Sequence, residues 1–144
     1  MSARFDLSFN YPDYVDAILD AHGSAVIGGS YIVDPDTAND IDIYVNQFDA
    51  NLNAIIDAGY TPISDGHKKY PEIDHERLIA VYEINTCDGP KANVIIVGAI
   101  FWAAYMGAIN QMQMNPEQYR SREERIAIHK RYCSMVRDIA KGNA

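Results

Sequence analysis

Cysteine and tryptophan are scarce: the 144-residue chain holds two cysteines, Cys87 and Cys133, and one tryptophan, Trp102. Two cysteines so far apart form no metal-type pair and no disulfide framework. A reducing cytoplasm suits such a chain. Basic residues are scarce at the start, where Arg4 is the only one in residues 1–57. Over the whole chain 12 Lys and Arg stand against 20 Asp and Glu, a net charge of −8. That balance argues against a protein that wraps long nucleic acid. Long apolar runs are missing too. "VIIVGAIFWAAYMGAI" comes nearest, but Gly98 and Gly107 break it short of the roughly 18 residues of a membrane span. It reads as a buried strand followed by a buried helix. The start, "MSARFDLSFN", is short and mixed, so no secretory leader is expected.

What is present is an ordinary globular composition, 48% hydrophobic and 22% charged. One domain is expected over residues 1–144, with a core from about 10 to 98 and C-terminal helices from about 99 to 141. "YPDYVDAILDAH" predicts a helix capped by Asn10, with Val15, Ile18 and Leu19 as its buried stripe. "SAVIGG" and "DIDIYV" predict strands, joined by a connection with a bend at Asp34-Pro35-Asp36. "QFDANLNAIIDAGY" predicts a helix with Leu52, Ile55 and Ile56 inward and Gly59 at its end. "RLIAVYEIN" and "KANVIIVG" predict two strands, with Asp88-Gly89 as the hairpin signal. Two helices close the chain, separated at Asn115-Pro116. The first is apolar around most of its girth; the second turns Ile128, Tyr132, Met135, Val136 and Ile139 to one face. The expected fold class is α+β: a small mixed sheet with helices packed on one side and a helical C-terminal segment.

Chemistry concentrates in residues 25–45, "AVIGGSYIVDPDTANDIDIYV". Side chains alternate along a strand, so Asp40 and Asp42 share a face, while Ile41 and Ile43 share the other. Two carboxylates so close repel each other, and a divalent cation relieves that. Magnesium takes oxygen ligands, commonly one or two carboxylates plus substrate phosphates. The turn Gly28-Gly29-Ser30 lets backbone N–H groups approach a phosphate and adds a hydroxyl donor. Each feature alone has a plain explanation: "GGS" as a turn, Asp-x-Asp as a solvated strand face. The combination, with nine residues between Ser30 and Asp40, is more demanding.

On "VIGGS" and "NDIDIYV" the chain resembles the nucleotidyltransferase superfamily typified by DNA polymerase β, in outline as far as about residue 98. The nearest in character are small single-domain members, often phage-encoded. The resemblance implies that Gly29 and Ser30, with Gly28 beside them, hold a triphosphate. It implies that Asp40 and Asp42 bind magnesium or manganese, and that a third carboxylate stands on a neighbouring strand. That third position matches Asn93 in "ANVIIV", which offers a metal one carbonyl oxygen, brings no charge and cannot act as a base. Glu83 and Asp88 are nearby carboxylates that could substitute, although Asp88 is better read as part of a turn.

Two further readings stay open beside a magnesium-dependent transferase that moves a nucleoside monophosphate from a nucleoside triphosphate to an RNA, protein or small-molecule hydroxyl. One keeps the fold as a nucleotide- or protein-binding module. The other is an interaction protein that forms a homo-oligomer through the apolar helix near Trp102. Trp102, Tyr105 and Met106 themselves fit a core better than a base-stacking platform. The basic residues from Arg120 onward fit a solvated face, or a face from which Arg120, Arg122 or Arg125 reaches a phosphate. His67, Lys68 and Lys69 fit a solvated loop better than a phosphate contact. His75 and His129 lack a partner at metal-ligand spacing.

Overall fold

Strand-forming residues dominate "DIDIYV" and "KANVIIV", and both become neighbouring strands. The structure, a computed structural model, describes residues 11–36, 38–63, 78–84 and 89–142. In chain order it runs α1 (Asp13–Ala21), β1 (Val26–Gly28), α2 (Ser30–Val33), β2 (Asp40–Asn46), α3 (Leu52–Asp57), β3 (Thr61–Pro62), β4 (Leu78–Ile84), β5 (Lys91–Val97), α4 (Trp102–Met114) and α5 (Arg122–Ala140). Short 3-10 turns, Ala99–Phe101 and Gln118–Arg120, lead into the last two helices. The five strands form one sheet in the order β1-β2-β5-β4-β3. β2 and β5 are parallel and the other pairs antiparallel, so the sheet is mixed and the fold α+β.

The period-two alternation of β2 and β5 sorts the core into two layers. Ile41, Ile43 and Val45 of β2 and Ala92, Val94 and Ile96 of β5 join Val15, Ile18 and Leu19 of α1 and Ile55 of α3. This is the expected one-sided helical layer. Tyr44, Ile95, Val97 and Val81 point the other way, onto Phe101, Ala104, Tyr105 and Ile109. The C-terminal helical segment therefore roofs the opposite face. A third cluster, Val33, Ala108, Met112, Tyr119 and Ile128, ties α2 to α4 and α5. The apolar girth of α4 follows from this setting, since Ala104, Tyr105, Ala108, Ile109 and Met112 are all buried within the chain. Each fully buried aliphatic side chain contributes roughly 1.5–3 kcal/mol.

Some expectations need correction. Pro12, not Asn10, precedes the first turn of α1; Asn10 lies outside the described residues. α3 spans only six residues, capped by the Asn51 side chain, which accepts from the Ala54 N–H at 3.1 Å. Ile55 alone is buried there; Leu52 and Ile56 are 48% and 51% exposed. On α5 the buried residues are Ile128 and Cys133, while Met135 and Ile139 face solvent. Among the described residues no helix is long and apolar enough to cross a membrane.

Candidate functional site

The parallel ladder between β2 and β5 sets Asp42 directly opposite Asn93. Directly opposed residues share a sheet face, and alternation puts Asp40 on the same face. Asn93 is fully buried. Its Nδ2 donates to Asp42 Oδ1 at 3.2 Å and to Asp40 Oδ2 at 3.4 Å. These bonds are long for charge-assisted contacts, which usually lie near 2.7–2.9 Å. An amide bridging the two aspartates offsets part of their mutual repulsion. The position matched to a third carboxylate thus carries a donor.

The glycine turn meets the same carboxylate from the other side. β1 pairs antiparallel with β2, placing Gly28 opposite Asp42. Gly29 follows with φ +69°, in the left-handed region. A Cβ on Gly29 would lie 2.7 Å from Asp42 Oδ2, so both the dihedral and the contact demand glycine. Gly28 has a different cause: a Cβ there would enter the ring of Tyr44 and lie 3.2 Å from Ile109 Cδ1. Its smallness therefore serves packing at least as directly as phosphate approach. Ser30 opens α2, and its carbonyl accepts from the Asp34 N–H at 2.9 Å.

Gly28, Asp42, Asn93 and Glu83 form one row across β1, β2, β5 and β4. Glu83 is therefore on the site's face, one strand beyond Asn93, with neighbouring strands about 4.8 Å apart. Among the described residues no three His, Cys, Asp or Glu side chains gather into a metal-binding group, so Glu83 does not join the two aspartates in one. The residues present still suit magnesium in the common arrangement of one or two carboxylates, with water and substrate phosphates filling the other positions. Asp40 and Asp42 would hold it, and the Asn93 amide would have to rotate to offer oxygen.

Residues beyond the sequence motifs also converge here. Tyr44, two residues after Asp42, has its ring centroid 5.3 Å from Tyr105 and 6.2 Å from His129. Its matching parity with Asp40 and Asp42 was the available signal. His129, without a metal-ligand spacing in sequence, is an aromatic neighbour of Tyr44 and Tyr105. The three arginines diverge. Arg120 makes an exposed ion pair with Glu117 at 3.3 Å. Arg125 is half-buried, and burial lowers its pKa, as does nearby Arg122; Tyr44 and Asp42 pull it back up. Asp42 thus lies within its electrostatic reach. His67, Lys68, Lys69, His75, Cys87 and Asp88 lie outside the described residues. Comparisons of this chain with protein-family models, with curated proteins and with solved structures find no match.

Proposed function

We propose that this is a nucleotidyltransferase-type protein whose centre, Asp40, Asp42 and Asn93 beside Gly29-Ser30, binds a magnesium–nucleoside triphosphate complex. The observation that carries the reading is the meeting of Asp42 with both Asn93 and the Gly29 backbone. A positive-φ glycine is pressed against the carboxylate of a paired-aspartate strand. In the reaction, an acceptor hydroxyl oxygen bonds to the α-phosphorus and the bond to pyrophosphate breaks. Pyrophosphate leaves and the hydroxyl proton passes to water. Bound magnesium supplies neutralisation of phosphate charge, the electrostatic contribution that dominates such transfers. Asp40 and Asp42 orient that charge, while Gly29 and Ser30 offer backbone and hydroxyl donors to the phosphates.

A second reading, a nucleotide-binding module with weak or absent transfer, is favoured by Asn93. Its amide already satisfies both aspartates and brings no negative charge to a second cation. Losing one catalytic charge of this kind costs roughly 10²- to 10³-fold in rate. Transfer of label from α-labelled triphosphates to RNA, protein and small-molecule acceptors, by the native protein and Asn93→Asp, separates the two. The expected result is weak native transfer that rises in Asn93→Asp, with manganese helping the native protein more. Robust native transfer that falls in Asn93→Asp would make asparagine the working ligand.

A further inference from the structure

The sheet face carrying Asp42 is roofed by α4 and α5, and α5 turns His129 and Arg125 toward the end of that layer nearest the 3-10 turn Gln118–Arg120. His129 packs on the rings of Tyr44 and Tyr105, at centroid distances of 6.2 and 4.7 Å. Arg125 lies one helical turn earlier on the same side of α5. Its Nη1 donates to the carbonyls of Tyr119 at 2.9 Å and Arg120 at 2.6 Å. Those carbonyls belong to the 3-10 turn before α5. Tyr119 of that turn shares a buried cluster with Val33 of α2, the short helix that Ser30 opens. The turn that anchors the guanidinium therefore packs against the helix following the glycine turn, and Asp42 is among the groups that pull the Arg125 pKa upward.

This arrangement differs from a simple counter-ion. The Arg125 hydrogen bonds to Tyr119 and Arg120 use Nη1 on neutral carbonyls, whereas Asp42 receives the Asn93 amide. A guanidinium tethered at one nitrogen keeps its Nε and Nη2 donors in a fixed fork suited to phosphate oxygens. The need for such a charge is plain: a magnesium–triphosphate beside two aspartates leaves a net negative centre.

We propose that Arg125 is a phosphate-binding residue, its guanidinium donating to non-bridging oxygens of the outer phosphates of a nucleoside triphosphate held over Asp40 and Asp42. This rests on the nucleotide reading above and adds to it a residue that selects triphosphate over monophosphate. Arg120, committed to Glu117 on the surface, has no such role.

The test uses the full chain with magnesium and calorimetric titration of ATP, GTP, CTP and UTP against their monophosphates. Arg125→Gln keeps an amide donor for the two carbonyls and removes the charge; Arg125→Lys keeps the charge. Circular dichroism and melting confirm that each variant folds. The expected result is triphosphate binding weakened ~10- to 100-fold in Arg125→Gln, partly restored in Arg125→Lys, with monophosphate binding nearly unchanged. Equal triphosphate binding by native protein and a folded Arg125→Gln overturns the assignment and leaves the nucleotide reading standing. Equal losses for triphosphate and monophosphate also overturn it, because they mark a structural role. A native protein that binds none of these nucleotides overturns both.

Discussion

Asn93, fully buried on β5, donates to Asp42 Oδ1 across the parallel ladder at 3.2 Å and to Asp40 Oδ2 at 3.4 Å. An amide here offsets part of the repulsion between the aspartates. Asn93→Asp should therefore be less stable than the native protein in chelator, by about 1–3 kcal/mol, because donors are lost and a like charge is added. Added magnesium should recover most of that loss. Urea melts with and without the cation measure it; equal stability in chelator would mean that the amide contacts contribute little.

Gly29 should tolerate no side chain. Alanine would sit at φ +69° with its Cβ 2.7 Å from Asp42 Oδ2. With ψ at −154° this is a backbone region that essentially only glycine enters, so the backbone cost alone is about 1–3 kcal/mol. Displacement of Asp42 should also reduce magnesium-dependent nucleotide binding in whatever fraction stays folded. Calorimetric titration of Gly29→Ala checks this, and unchanged affinity would separate the turn from the site.

His22 joins the two helices on the far face. Its Nδ1–H donates to the Ile18 carbonyl at 2.8 Å, and its Nε2 accepts from the Asn51 N–H at 3.0 Å. The ring is almost fully buried. His22→Phe keeps the bulk and strands both backbone groups, at about 1–3 kcal/mol for each one left unsatisfied. A lower denaturation midpoint with nucleotide affinity preserved is expected; an unchanged midpoint would reduce the histidine to a space-filler.

Tyr60 gives the fold an alkaline limit. Burial, with a smaller contribution from Tyr14, raises its phenol pKa above the ordinary 10, and its hydroxyl donates to the Tyr14 carbonyl at 2.7 Å. A raised folded pKa means that the unfolded chain loses this proton first. Stability is thus full below about pH 10 and falls as pH rises toward the folded value. Tyr60→Phe should be less stable at neutral pH and show a shallower alkaline loss. Melting curves from pH 8 to 11 decide, and parallel slopes would count against it.

Much of this fold was legible because period and composition agree locally. β2 alternates over Asp40, Ile41, Asp42 and Ile43, β5 reads as an apolar run buried on both faces, α1 shows its Val15, Ile18 and Leu19 stripe, and Asn115-Pro116 ends α4. What was hidden depends on distant pairing. The parity of Glu83 needed the β4–β5 register, and β3 is two residues that exist only through β4. α3 and α5 misled because an apolar stripe does not reveal which of its residues a distant element covers. On α5 Val136 still packs on the Tyr44–Tyr105 cluster and Arg137 lies over the Phe101 ring, so the buried face runs through Cys133 and Val136, and Met135 and Ile139 lie off it. The opposition of Asp42 and Asn93 could be expected from the family resemblance, but the donor contacts to both aspartates could not. Gly28 resembled a phosphate-turn residue, yet its closest demand comes from Tyr44.

The central claim is that Asp40 and Asp42 hold a magnesium–triphosphate complex. Its most direct test is the melting temperature of the native protein and of Asp42→Asn, each with and without magnesium and nucleoside triphosphate. Ligand that binds only the folded state stabilises it by about 2.7 kcal/mol at a hundred times its dissociation constant. The account predicts a rise in the native protein that needs both magnesium and triphosphate and is absent in a folded Asp42→Asn. An equal rise in both proteins, or none in the native protein, would contradict it.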